Sequence, residues 1–237
     1  MKIKYKLKEL ISIKRKENDK LAHCFYQPIS NILLWIFLNM GLSANGVSGI
    51  MALTSMIGAL FYLSGIKSLL MAGSILFVFA MILDHTDGDM ARITKRYSMK
   101  GIYCDHIHHT CEEVFTFIGL GIYLTIITSN VDFFFIGMIT TMLLFIPAYF
   151  RATLCWFMKK EVRFDDKYRG LPLVILYGNF FKVWHPLILI GLIFEFTNYI
   201  ILLALIWSVF AFFYRMYIFY KECDMFDKER NYKKGFA

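Results

Sequence analysis

The sequence predicts an all-α membrane protein with six transmembrane helices. Hydrophobic residues make up 58% of its 237 residues, aromatic residues make up 18%, and the mean hydropathy is +0.53. This composition is too apolar for a soluble domain of that length. Six segments are long enough to cross a hydrocarbon layer about 30 Å thick. They are Ala44–Ser64, Ser68–Met90, Ile102–Thr128, Phe133–Met158, Leu171–Phe196 and Tyr199–Tyr220.

The distribution of basic residues predicts the orientation of the chain. Lys and Arg are concentrated in the N-terminal segment, in the connections 92–100 and 159–169, and in residues 221–234, whereas the alternate connections have almost none. By the positive-inside rule both termini are cytoplasmic, which requires an even number of spans. The net charge of +8 follows this alternation, so it indicates membrane topology and not binding to nucleic acid.

Three regions are predicted along the chain. Residues 1–41 are predicted to form basic, interfacial N-terminal helices. The first twenty residues are either a basic helix on the inner leaflet or a solvated segment. Pro28–Met40 is apolar but too short to span the membrane. Residues 42–221 form one six-span domain, and residues 222–237 form a cytoplasmic tail. The number of cysteines, five, is odd, and all of them lie at or near the predicted cytoplasmic half of the protein. A disulfide framework is therefore not expected.

A dense group of polar and small residues lies where the second span ends and the third begins. If the second helix continues, the spacing of this group places it on one face. Small residues there let a ligand approach the backbone, and carboxylates one turn apart can hold Mg²⁺ or Mn²⁺ through oxygen. Asp105 and His109 repeat the i, i+4 arrangement on the next helix. The group on the second helix comprises Asp84, Asp87, Gly88, Ala91 and Arg92.

Further ionisable residues lie within the later spans. Such a residue costs at least about 2.5–3.5 kcal/mol at the bilayer centre unless it is paired or hydrated, so their convergence predicts a polar cavity open to the cytoplasm. Positive charge there suits phosphate or pyrophosphate. Snorkelling or interhelical hydrogen bonding explains most of them equally well, and an ordinary basic loop is favoured for Lys95, Arg96 and Lys100. The residues within the spans are Arg151, Lys182, His185 and Arg215.

The run from Asp84 to His109 resembles the signature of the CDP-alcohol phosphotransferase (CDP-alcohol phosphatidyltransferase) family, D-x2-D-G-x2-A-R-x8-G-x3-D-x3-D. Seven of the eight fixed positions match at the correct spacing, and the last is His109 instead of Asp. Two shorter likenesses extend the resemblance: Leu42–Gly46 looks like the family's T-P-N turn, and Tyr149–Ala152 is similar to its Y-x-R-A segment. The matching positions are Asp84, Asp87, Gly88, Ala91, Arg92, Gly101 and Asp105.

The resemblance implies transfer of a substituted phosphate from a CDP-linked donor to a hydroxyl acceptor, with release of CMP, in the synthesis of phospholipids or related glycoconjugates. It implies a site for two divalent metals, Mg²⁺ or Mn²⁺, at Asp84, Asp87 and Asp105, with the residue at position 109 as metal ligand and general base. It also implies a homodimer in the lipid bilayer. The donor and the acceptor would contact Asn45, Gly88, Ala91, Arg92, Gly101 and Arg151.

His109 is the one departure from the signature. A neutral imidazole can act as a base near pH 7 and can bind Zn²⁺ or Mn²⁺, so activity is compatible with the change. It removes one negative charge, which predicts weaker Mg²⁺ binding at the second metal position or a preference for a softer metal. Glu112 or Glu113 could supply the missing carboxylate. His106 and His108 are expected at the interface or on the acceptor side, because no zinc-site spacing is present.

Three functions remain open from the sequence, with an active transferase favoured. A non-catalytic member that binds CDP compounds is supported only by His109. A small-molecule transporter is the third, since buried charges also line transport paths, although no inverted repeat is visible. The donor is either CDP-diacylglycerol or a CDP-activated head group.

Overall fold

The structure is a computed structural model that describes residues 5–7, 10, 25–158 and 180–234. Within those ranges the chain folds into helices and contains no strand, which confirms the all-α class for this part of the protein. The helices of residues 25–158 and 180–234, in chain order, are α1 (Gln27–Met40), α2 (Ala44–Leu63), α3 (Lys67–Thr94), α4 (Met99–Thr128), α5 (Asp132–Met158), α6 (Phe180–Phe194) and α7 (Thr197–Lys234).

Five of these helices, α2, α3, α4, α5 and α7, are long and apolar enough to cross a membrane. The protein is therefore an integral membrane protein. The predicted fifth span, Leu171–Phe196, begins outside the described residues, and its described part contains the shorter apolar helix Val183–Phe194. The count of six spans and the cytoplasmic position of both termini stay predictions.

The helices α2, α3 and α4 pack closely because small residues lie where they meet. A Cβ atom at Gly119 of α4 would lie 2.6 Å from the carbonyl oxygen of Tyr62 of α2, and one at Gly73 of α3 would lie 2.8 Å from the Tyr62 ring. Glycine removes both clashes, and small residues are the usual means of close helix approach in membranes. The fully buried Tyr62 ring is thus enclosed between three helices, which fixes their mutual positions.

Three helix ends meet at one end of this group. Helix α2 begins after Ser43, whose side chain accepts a hydrogen bond from the amide of Gly46. Helix α3 ends at Thr94, and the next residue, Lys95, takes a left-handed backbone conformation with φ of 54°. Helix α4 begins after Ser98, whose hydroxyl accepts from the amide of Gly101 at 3.1 Å. The condition that places the polar motif on one helix face is met, since α3 extends beyond the predicted span to Thr94.

Helix α1 covers part of α3. Thr86 of α3 donates a hydrogen bond of 3.1 Å to the hydroxyl of Ser30 of α1, and both side chains are fully buried. The predicted helix Pro28–Met40 is therefore present and packed on the membrane domain, while its place at the interface stays a prediction. Most of the first twenty residues lie outside the described ranges.

Candidate functional site

A cavity of about 420 Å³ lies among the converging ends of α2, α3 and α4. Its walls are the first turns of α2, the last turns of α3, the α3–α4 connection and the first turns of α4. The fold therefore brings together motif residues that are far apart in the sequence. Eight residues singled out in the sequence line this cavity: Asn45, Asp84, Asp87, Gly88, Ala91, Arg92, Gly101 and Asp105.

Asp84, Asp105 and His109 form a donor group beside the cavity. Their ligand atoms all lie within 4.8 Å of one another, and His109 Nε2 is 3.4 Å from Asp105 Oδ1. Small divalent ions bind oxygen and nitrogen at about 2.0–2.1 Å, so two ligands of one ion lie up to about 4.2 Å apart. Two carboxylates with one imidazole suit Mn²⁺ or Zn²⁺ as well as Mg²⁺. These residues fit a divalent metal after small side-chain adjustments.

Asp87 lies one turn beyond Asp84 on the same helix face. Its Oδ2 accepts a hydrogen bond of 2.5 Å from the hydroxyl of Ser48 on α2. Ser48 also lines the cavity, and the sequence analysis missed it. The available signal was its spacing from Asn45, because residues three apart on a helix share a face.

The α3–α4 connection is tied to the start of α2 by a pair of polar side chains. Ser98 donates a hydrogen bond of 2.5 Å to Oδ1 of Asn45. A Cβ atom at Gly101 would lie 3.5 Å from Ser98 Oγ and 3.6 Å from Asn45 Oδ1, so a larger side chain would press on this pair. The nearest atoms to a Cβ at Gly88 belong to Arg92, 3.5 Å away. Gly88 consequently keeps this side of the cavity free of its own side chain.

Arg92 supplies a positive charge at the cavity wall formed by α3. Its Nη2 donates to Oδ1 of Asp89 at 2.5 Å, and the Asp89 side chain is almost completely buried. Asp89 was not singled out in the sequence, although its i, i+3 spacing from Arg92 favours such a pair. The guanidinium is half exposed, so it is held by one carboxylate and still faces the cavity.

Comparison with known protein families shows the family to which this chain belongs. The family model described as CDP-alcohol phosphatidyltransferase matches residues 42–210. The chain belongs to the CDP-alcohol phosphatidyltransferase family. A search of curated proteins found no match. Membership gives this protein a general transferase role in phospholipid synthesis, and the matched region contains every helix that lines the cavity.

The position at which this chain departs from the family motif has a second carboxylate behind it. His109 Nδ1 lies 3.8 Å from Oε2 of Glu112, whose side chain is buried inside the helix group. Glu112 is one of the two glutamates that the sequence offers in place of the missing motif aspartate. Its other oxygen, Oε1, lies 3.0 Å from Nε2 of His185 on α6.

The expectation that His108 lies at the interface or on the acceptor side is wrong. His108 is only 1% exposed, and its Nδ1 is 2.8 Å from the hydroxyl of Ser55 on α2. A polar partner on the neighbouring helix lets the imidazole face inward, where its Nε2 lies 4.0 Å from Glu112 Oε2. His108, His109 and Glu112 thus form a second group with donor atoms within 4.8 Å of one another.

Of the ionisable residues predicted within the later spans, Arg151, His185 and Arg215 are not among the described residues that line the cavity, whereas the loop residue Arg96 is. Arg151 is exposed on α5, Arg215 lies on α7, and His185 is completely buried beside Glu112. The side chain of Lys182 lies outside what the structure describes. The residues predicted to bind the CDP-linked donor therefore lie together around the cavity. Arg151, which is predicted to bind the acceptor, does not line this cavity.

Proposed function

We propose that this protein is an active, metal-dependent CDP-alcohol phosphotransferase. It transfers a substituted phosphate from a CDP-linked donor to a hydroxyl acceptor and releases CMP. The observation that carries the proposal is the donor group of Asp84, Asp105 and His109, with ligand atoms within 4.8 Å of one another, at the wall of a cavity of about 420 Å³. The family match supports the reaction class.

The donor's pyrophosphate is proposed to lie against the last turns of α3. Asp84, Asp87 and Asp105 would hold two divalent metals there, Mg²⁺ or Mn²⁺. The chemistry that such ions would supply when bound is neutralisation of charge on the attacking and leaving oxygens. Arg92 adds positive charge to the phosphate that leaves with CMP, and Asp89 keeps its guanidinium at the cavity wall.

The nucleotide has room beside Gly88 and Ala91, which present almost no side chain to the cavity. Asn45 and Gly101 border the same space, so they restrict how the donor enters between α2 and α4. Arg151 is proposed to bind an acidic group of the acceptor, because it is exposed on α5.

His109 is proposed to act on the acceptor through Nε2. The acceptor's O–H bond breaks, its proton passes to Nε2, and its oxygen forms a bond to the β-phosphorus. The bond from that phosphorus to the CMP oxygen breaks at the same time, and CMP departs with the electron pair. The same nitrogen can instead serve as a metal ligand with Asp105, since the two atoms lie 3.4 Å apart. We further propose that the cavity opens to the cytoplasm and that the protein forms a homodimer.

The test is CMP release by purified, detergent-solubilised protein. CDP-diacylglycerol and CDP-activated head groups are offered in turn with hydroxyl acceptors, in Mg²⁺, in Mn²⁺ and in excess chelator. Asp105→Asn, which removes a charge and keeps the shape, is the matched variant. Release that needs metal and disappears in Asp105→Asn is expected. Tight binding of a CDP compound without release from any donor would instead favour a non-catalytic binding protein.

A further inference from the structure

A buried carboxylate, a histidine and a tyrosine form a polar network directly behind His109. We propose that Glu112 is a positioning residue for His109: it holds the imidazole with Nδ1 turned into the helix group and Nε2 turned to Asp105. The inference rests on the proposed function, because His109 acts there through Nε2. It explains how this chain works with a histidine where the family motif has an aspartate.

The two ring nitrogens of His109 face different carboxylates. Nε2 lies 3.4 Å from Oδ1 of Asp105, and Nδ1 lies 3.8 Å from Oε2 of Glu112. The ring is therefore oriented between two carboxylates, and Glu112 supplies the contact on the side of the helix group. By holding that side of the ring, Glu112 keeps Nε2 turned to Asp105, where the proposed function uses it.

Glu112 is itself held in place from a second helix. Its Oε1 lies 3.0 Å from Nε2 of the fully buried His185 on α6. The His185 ring stacks on Phe77 of α3 with ring centroids 4.7 Å apart, and its Nδ1 is 3.4 Å from the hydroxyl of Tyr62 on α2. That hydroxyl is in turn 2.7 Å from the hydroxyl of Ser74. Contacts from α2 and α3 thus fix the His185 ring, and that ring lies against the carboxylate behind His109.

The burial of Glu112 is difficult to explain by stability alone. The residue is 1% exposed, and removing a carboxylate from water costs several kcal/mol that a buried pair often fails to recover. An apolar side chain of similar volume would pack at this position without that cost. Glu112 also restores a negative charge near position 109, about 4.5 Å further along the helix axis than the motif places it.

During the proposed transfer the imidazole of His109 gains the acceptor's proton and becomes positively charged. Glu112 stays ionised and stabilises that charge, as a carboxylate does behind a histidine base. No bond to Glu112 forms or breaks. The effect of Glu112 must therefore depend on the presence of a histidine at position 109, which a purely structural role for Glu112 does not require.

A double-mutant cycle over positions 109 and 112 tests this dependence. CMP release is measured for the wild type, Glu112→Gln, His109→Asp and the double variant. Glutamine keeps the shape and the oxygen that faces His185. We expect Glu112→Gln to lower kcat about 10- to 100-fold with little change in the donor KM, as for other residues that orient a ligand or base. In the His109→Asp background the same change should cost less than about twofold.

The control is Asp224→Asn, the same chemical change at an exposed position on α7, which should leave kcat and KM unchanged. An equal loss in both backgrounds, or a rise in KM alone, overturns the positioning role while the proposed function stands. A wild type that releases no CMP overturns both. If Glu112→Gln does not fold, Glu112→Asp, which keeps the charge but withdraws it from His109, must show the same dependence on residue 109.

Discussion

The hydroxyl of Ser48 donates a hydrogen bond of 2.5 Å to Oδ2 of Asp87, joining the first turns of α2 to the last turns of α3. Ser48 is almost completely buried, so water does not compete strongly for this bond. The bond occupies one carboxylate oxygen of Asp87 and fixes the side chain against the cavity wall. As a proposed metal ligand, Asp87 oriented in this way would lose less conformational entropy when the ion binds.

Ser48→Ala is expected to raise the Mg²⁺ concentration needed for half-maximal CMP release by about tenfold, because loss of an orienting partner typically costs 10- to 100-fold in metal affinity or activity. A metal titration of CMP release measures the change. Ser208→Ala is the matched control, since the Ser208 hydroxyl donates to the Leu205 carbonyl on α7, outside the cavity lining. The same metal requirement in Ser48→Ala and the wild type would contradict this role.

Gly88→Leu is expected to raise the donor KM at least about tenfold without lowering thermal stability, because the new side chain enters the cavity and leucine favours a helix more than glycine does. Steady-state kinetics with the donor found in the first assay measures it. Gly49→Leu, on α2 where a Cβ atom has no neighbour within 4 Å, is the control. An unchanged KM in Gly88→Leu would place the nucleotide elsewhere.

Gly119→Ala is expected to destabilise the protein by about 1–3 kcal/mol, because a Cβ atom would lie 2.6 Å from the carbonyl oxygen of Tyr62 and the two helix backbones must move apart. Thermal unfolding in detergent measures the loss. Gly49→Ala serves as the control and should be neutral or stabilising by up to about 1 kcal/mol. Equal melting temperatures for the two variants would show that α2 and α4 separate at no cost.

His109→Asp is expected to strengthen Mg²⁺ binding and to reduce any preference for Mn²⁺, because it adds a hard, negatively charged oxygen ligand beside Asp84 and Asp105. Calorimetric titration of each metal into the two proteins measures both quantities. Asp224→Asn controls for a general change in surface charge. Equal Mg²⁺ affinity in the wild type and in His109→Asp would remove position 109 from the metal site.

Much of the cavity could be predicted from the sequence because its residues obey local spacing rules. Asp84 and Asp87 share a face of any helix that continues to Arg92, and α3 does continue. The contact between Glu112 and His185 could not be predicted in this way, because the two residues lie on α4 and α6 and no spacing relates them. The packing of α6 on α3, with His185 stacked on Phe77, places the His185 ring beside Glu112.

The burial of His108 depends on a contact that the sequence does not reveal. The absence of a zinc-site spacing in α4 predicts an interfacial or acceptor-side position for this histidine, but that spacing carries no information on a partner in another helix. Ser55 on α2 satisfies one ring nitrogen and thereby makes burial possible, but this partner is 53 positions away in the sequence. The i, i+4 spacing from His108 to Glu112 was the local signal that both residues share the inward face.

The length of α3 has a consequence for what can reach its final turns. Its 28 residues extend about 42 Å, whereas the hydrocarbon layer is only about 30 Å thick. Asp84 lies about 25 Å from the beginning of the helix and Arg92 about 37 Å. The motif therefore crosses the depth at which hydrocarbon gives way to water. An amphiphilic molecule can therefore contact these turns with its charged group in water and its apolar chain in the hydrocarbon layer.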